Sequence, residues 1–222
     1  MSHPEKTSPK TDWDQYYQKP FKTACWSRWL VRKKLLFLFK QHGLSNQKNL
    51  CILEAGGGNS CFFRATAAAL NPVRYCVLDQ HRTALEQLVK RLAGDKQIIQ
   101  PEIQEENVLL PAGPMLSEQF DLVFSVGLIE HFPEQETVKA LQFHLDCTKS
   151  GGLVIVFFPT PTILYRLIRK LAEITGFWIF HDERPLSCRE LLPILSPRGK
   201  VLEQGILYAM GLTQAFIVFR KS

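Results

Sequence analysis

Hydrophobic and polar positions change period several times along this chain, and each change marks an element. Between Asp12 and Gln41 aromatics alternate with bases, and Trp26, Trp29 or Leu30, Lys33 and Phe37 recur at helical spacing, predicting an amphipathic helix that Gly43 ends. Asn49-Leu50-Cys51-Ile52-Leu53-Glu54 is a short unbroken apolar run that stops at three glycines, the pattern of a strand entering a tight turn. Residues 60–70 hold strong helix formers behind an N-cap candidate, Ser60, and Asn71-Pro72 stops them. A second apolar run, 73–78, ends at Asp79, and residues 82–93 read as a helix closed by Gly94. Pro101 makes the weaker run 97–105 an edge strand or a bulged one.

Farther along, 120–126 is a strand, 134–147 a helix, and 153–158 a strand after the Gly151-Gly152 turn. Four alternations of strand and helix argue for a parallel α/β sheet with helices on both faces. The last third changes character. Residues 162–174 read as a helix with Tyr165, Ile168 and Leu171 on one side and Arg166, Arg169 and Lys170 elsewhere. A loop of aromatics and charges, 177–184, leads to a short helix at 187–195, with Ser187 as N-cap and Glu190 completing a capping box. The final runs, 200–208 and 213–219, form an antiparallel pair.

Length and composition fit one domain with an ample core: 222 residues, 45% of them hydrophobic. Prolines 159 and 161 break the longest apolar stretch, so no membrane-spanning helix is expected, and the polar start carries no signal-peptide core. The six cysteines form no C-x-x-C pair and read as reduced residues of a cytoplasmic protein, with neither disulfides nor a metal site. The net charge of +6 is unevenly placed: residues 1–48 carry +7 and the rest −1. A nearly neutral body with a basic front end gives little support to a nucleic-acid function.

Glu54-Ala55-Gly56-Gly57-Gly58-Asn59-Ser60 lies between the first strand and a helix, where open α/β sheets hold nucleotide-like ligands. A dinucleotide-binding G-x-G-x-x-G would need a glycine where Cys61 stands. A carboxylate at Glu54 would repel a pyrophosphate but suits a cationic amine or sulfonium. Asp79, at the end of the second strand, can accept hydrogen bonds from ribose hydroxyls. Nucleoside binding without a pyrophosphate is the expectation from the residues alone.

Four motifs, L-E-A-G-G-G-N-S (53–60), V-L-D (77–79), F-D-L-V-F-S-V-G-L-I-E-H-F (120–132) and T-K-S-G-G-L-V-I-V (148–156), make the chain resemble the small class I S-adenosylmethionine-dependent methyltransferases of types 11 and 12. The resemblance covers about residues 49–158. It departs at Ser60, often a third glycine, at Gly57, commonly Cys or another residue, and at Ser150, usually Pro. It implies a Rossmann-like mixed sheet of seven strands, mostly parallel with an antiparallel last strand. It further implies that S-adenosyl-L-methionine is held by Gly56 and Gly58 around its methionine part and by Glu54 near the amino group. Asp79 would hold the ribose, Gln80 would lie beside the adenine, and Asn107-Val108 would meet the adenine edge, Asn replacing the usual Asp. Ser125 and Val126 would line the sulfonium side.

Methyl transfer mainly needs alignment, exclusion of water and, for some acceptors, removal of a proton, so no strong catalytic signature is expected. His131, in an E-H pair, and His181 are the candidates, each with a packing role as its alternative, and Tyr16, Tyr17 and Tyr165 could orient a substrate. Residues 1–48 are expected to form a basic-aromatic helical lid, and 49–222 the catalytic domain, with 159–186 capping the substrate. The acceptor is expected to be a small or lipid-like molecule. Protein or RNA methylation and a non-catalytic cofactor-binding scaffold stand as alternatives. The run 26–40 is a candidate for peripheral contact with an anionic membrane, its alternative being a helix packed on the sheet.

Overall fold

The computed structural model describes residues 11–18, 24–95, 99–209 and 212–222, so the polar start and the beginning of the 97–105 run lie outside the described residues. The short α1 (Trp13–Gln18) and the long α2 (Ala24–Gln41) precede an alternating body of β1 (Cys51–Ala55), α3 (Phe63–Leu70), β2 (Arg74–Asp79), α4 (Arg82–Leu92), β3 (Glu102–Glu105) and β4 (Phe120–Val126). Then come α5 (Glu134–Cys147), β5 (Thr148–Pro159), α6 (Ile163–Ile174), α7 (Cys188–Leu195), β6 (Gly199–Ala209) and β7 (Leu212–Lys221).

These strands form one seven-stranded sheet in the order β3-β2-β1-β4-β5-β7-β6. Strands β1 to β5 pair in parallel, and β7 runs antiparallel to both of its neighbours, β5 and β6. The expected Rossmann-like mixed sheet is therefore the observed one. The strand order reverses between β1 and β4, which leaves a crevice above their carboxyl ends.

Alternate residues of each strand point to opposite faces, and two cores follow from that period. Ile52, Val77, Phe124 and Ile155 pack against α2, α3 and α4, whereas Leu53, Leu78, Val123 and Val154 pack against α5 and α7. Helix α2 turns Val31, Leu35, Leu38 and Phe39 inward, all buried, at the spacing of one helical face. Its Lys34 and the following His42 both pair with Glu203 of β6, at 3.1 Å each. Among the described residues of the basic segment, α2 is thus a layer on the sheet, whereas Thr11 and α1 lie at the crevice, which Arg28 of α2 also borders. No helix among the described residues is long and apolar enough to cross a membrane.

Helix α6 differs from expectation. Tyr165 is buried, while Leu171, expected on the same side, faces solvent with Ile163, Leu167 and Ile174. Strand β5 begins earlier than expected, at Thr148, and takes in both glycines, with Gly151 at φ +77°.

Ser125 lies on the α5 side of β4, because the strand's period of two turns Val126, not Ser125, toward the glycine loop. Its Oγ is 2.9 Å from His144 Nε2, and His144 Nδ1 is 2.6 Å from the Ala140 carbonyl. A carbonyl only accepts, so Nδ1 carries the proton and Nε2 accepts from the serine hydroxyl. Burial pushes the imidazole down to about 4, helped back only in part by the Ala140 bond. The unfolded chain then binds the extra proton between about pH 6.5 and 4, so this residue's contribution to stability falls as pH falls through that window. The stability advantage of wild type over His144→Gln should shrink by roughly 3 kcal/mol between pH 7 and pH 4 in denaturant titrations. An advantage independent of pH would mean the histidine is not held neutral.

Candidate active site

The glycine loop is stapled from beneath. Both carboxylate oxygens of Glu54, at the end of β1, stand 2.7 Å from Ser60 Oγ, and Tyr75 Oη donates to Glu54 Oε2 at 2.8 Å. Ser60 Oγ in turn accepts from the backbone N–H groups of Phe62 and Phe63 at 3.1 and 2.9 Å, satisfying donors at the start of α3. The serine that departs from the family pattern thus ties strand, loop and helix together. Burial raises the Glu54 carboxyl to about 7, although Ser60, Tyr75 and the Arg91 charge work in the opposite direction.

The loop itself is a cradle that side chains would fill. Gly56 has φ +65°, and a Cβ there would come within 2.6 Å of Leu128 Cδ1; Gly58 has φ +48°, and a Cβ there would run into the Tyr17 hydroxyl. Tyr17 and Trp13, both from α1, line a small recess of about 140 Å³ together with Glu54, Gly56, Gly57, Asn59 and Val126. Burial, joined by the charges of Asp79 and Glu54, keeps the Tyr17 hydroxyl protonated well above its usual range.

Gly56 also belongs to a larger cavity of about 1040 Å³, which runs over the ends of β2 and β4. Asp79, Gln80, Asn107 and Val108 line one end of it. Asp79 is buried and its Oδ1 accepts from His81 N at 2.8 Å. Burial raises its carboxyl, and backbone N–H groups of His81, Gly58 and Gln80 hold it back, so the same acid pins the glycine loop to β2. Asn107 Oδ1 accepts from Leu109 N at 2.9 Å, which fixes the amide and leaves its NH₂ as a donor.

The opposite end of the cavity is polar and was only half visible in the sequence. His131 stands on a single helical turn, residues 129–131, after β4, and its Nδ1 lies 3.0 Å from Asp182 Oδ1. Asp182 belongs to the segment between α6 and α7, and Thr11 donates to it from its hydroxyl and, at 3.3 Å, from its backbone N–H. Trp13 meets the His131 ring edge-on, centroids 4.8 Å apart. Burial disfavours the imidazolium, but the Asp182 bond and the charges of Glu130, Asp182 and Glu183 outweigh it and raise the His131 pKa. Burial works against the Asp182 carboxylate too, and the His131 and Thr11 bonds nevertheless hold it at about 2.

Two further acids crowd this end. Glu130 is buried with Oε2 unpartnered, and burial raises it to about 7. Glu183 accepts from Tyr165, and one ligand atom each from Glu130, His131 and Glu183 lie within 4.8 Å of one another. Arg169 of α6 donates to the Glu183 carbonyl at 2.8 Å. Of the residues singled out in the sequence, Glu54, Gly56, Asp79, Gln80, Asn107, Val108, His131 and His181 line the two cavities; Gly58 lies beneath Tyr17; Ser125 lies apart, behind the sheet. Asp182 and Glu183 were missed, though the run His181-Asp182-Glu183-Arg184 was their signal.

Comparison with known proteins places this geometry. The family model described as a methyltransferase domain matches residues 53–154. Magnesium protoporphyrin IX methyltransferase from Synechocystis PCC 6803, crystallised with bound S-adenosylhomocysteine, superposes with a TM-score of 0.69 at 13% identity, over 86% of this chain and 82% of that one. The N-methyltransferase NodS from Bradyrhizobium japonicum WM9, in complex with S-adenosyl-L-homocysteine, gives 0.60 at 14% identity, over 85% and 86%. A protein from Pyrococcus horikoshii OT3 gives 0.71 at 13% identity, over 94% and 99%. The sequence has no match among curated proteins. The matched segment holds the glycine loop, Asp79, Asn107 and the Glu130-His131 pair, so that residues 53–154 are similar to a methyltransferase domain and the sheet around them has the fold of these methyltransferases.

Proposed function

We propose that this protein transfers the methyl group of S-adenosyl-L-methionine to a small or lipid-like acceptor bearing a removable proton. The observation that carries the reading is one continuous cavity with the nucleoside-type residues Asp79, Gln80 and Asn107 at one end and the His131–Asp182 pair at the other.

The residues present fit the cofactor. The cradle at Gly56 and Gly58 admits backbone approach, Glu54 at the small recess suits a cationic amine, and Asp79 can accept from two hydroxyls. When bound, S-adenosyl-L-methionine supplies an activated methyl carbon. The rest falls to this chain. Asp182 holds one nitrogen of His131, leaving Nε2 to take a proton from an acceptor hydroxyl or amine, and the paired acid makes the imidazole a stronger base. Trp13 and Tyr17 of α1 exclude water from above, as a lid, and residues 159–186 contribute Arg169 and residues 181–185 to the acceptor side. Leu109, Leu128, Phe132 and Pro133 give that cavity an apolar wall, which favours a lipid-like or aromatic body over a polyanion. The free cysteines 51, 61, 76, 147 and 188 suit the reducing cytoplasm.

Calorimetric titration with S-adenosylhomocysteine should show one site per chain. Asp79→Ala should weaken it at least about tenfold, for the loss of hydrogen bonds to a charged group, while Ser125→Ala leaves the affinity unchanged. Equal affinity in wild type and Asp79→Ala would displace the site. For the base, kcat/KM should rise with pH through a limb above the ordinary histidine value, since neutral His131 is the active form. Removing the acid that raises this pKa, in Asp182→Asn, should move the limb to lower pH and lower the plateau, and His131→Ala should lose about a hundredfold. An unmoved limb in Asp182→Asn would remove His131 from the chemistry.

A further inference from the structure

Helix α6 has two unlike sides. Its inner side carries Tyr165, which is buried and donates to Glu183, and Arg169, which lines the large cavity. Its outer side shows Ile163 at 89% exposure, Leu167 at 65%, Leu171 at 61% and Ile174 at 74%, and Phe177 follows just past the helix at 69%. At about 100° per residue the four aliphatic side chains fall within an arc of about 80°, along a helix about 18 Å long. This is a single stripe, unlike α2, whose exposed Trp29 and Phe37 stand among its bases while its apolar face is already spent on the sheet.

A continuous apolar stripe of this kind, on the order of several hundred Å², marks an interaction surface. Its border says what covers it. Exposed Lys170 and Arg166 follow one another along a single flank, next to Ile163 and Ile174 in angular position, and the acid beyond them, Glu173, is paired with Arg169. Long basic stems beside a shallow apolar face allow the aliphatic groups to enter an acyl layer while the charges reach back to anionic headgroups. We propose that α6 lies in the surface of an anionic lipid bilayer, with Ile163, Leu167, Leu171 and Ile174 in the acyl boundary and Arg166 and Lys170 at headgroup level. The contact requires nothing of the chemistry. Its use, bringing a lipid-like acceptor to the cavity wall formed by the same helix, rests on the function proposed above.

Co-flotation of the full chain with vesicles tests it. The protein should float with phosphatidylcholine vesicles containing phosphatidylserine and much less with phosphatidylcholine alone, and raised salt should reduce the first. Leu167→Asp/Leu171→Asp should lower partitioning by at least about tenfold, because two apolar contacts are replaced by like-charged repulsion. S-adenosylhomocysteine affinity should be the same in both proteins, which shows that the variant is folded and separates this test from that of the methyltransferase reading. The proposal is overturned if wild type stays with the unbound fraction, or if the variant floats equally well. It is overturned too if wild type elutes as a dimer that the variant converts to a monomer, since a second copy would then cover the stripe.

Discussion

The carboxylate of Glu54 is a buried charge-bearing group at the top of the first strand, and it is tolerable there only because Ser60 and Tyr75 both bond to it. That single requirement shapes everything above the sheet. Ser60 can reach Glu54 only if the three glycines between them turn sharply, and once there its oxygen also caps the donors that open α3. Asp79 then receives the loop from the side through Gly58 N–H. The cradle is thus held by two acids, one beneath it and one beside it, and neither needs a ligand to be in place.

Much of this architecture was legible in the chain because it depends on local pattern. The strand 120–126 and the helix 134–147 appear at the bounds that their apolar runs and proline-glycine punctuation indicate, and Gly43 and Gly94 follow their helices with positive φ. Local pattern failed where a tertiary partner decides. Periodicity alone could not say that the basic α2 serves as a layer of the sheet, because that depends on β6 supplying Glu203 about 160 residues away. The same holds for Ser125, whose direction follows from one residue of strand phase, and for Leu171, whose side of α6 is set by what Tyr165 bonds to.

The polar end of the cavity was the least legible part for a related reason. Thr11, His131 and Asp182 meet from three distant stretches, the last two separated by 51 positions, and no spacing rule joins them. His131 and His181 stood out as candidates one by one, but nothing in either run marked Asp182 as the partner of His131. Only the crossover from β5 through α6 and back over β4 gives the pair its meaning.

The position of α1 has a kinetic corollary. Its Tyr17 rests on Gly58, and the Thr11 and Trp13 beside it hold Asp182 and the His131 ring, so one short helix touches both ends of the cavity. Any excursion of α1 that uncovers Gly58 also takes away the Trp13 edge that packs on the His131 ring. On the function proposed above, a ligand exchanging there would meet a His131 ring without its Trp13 cover. The order in which cofactor and acceptor arrive and depart would then be tied to the placement of this one short helix.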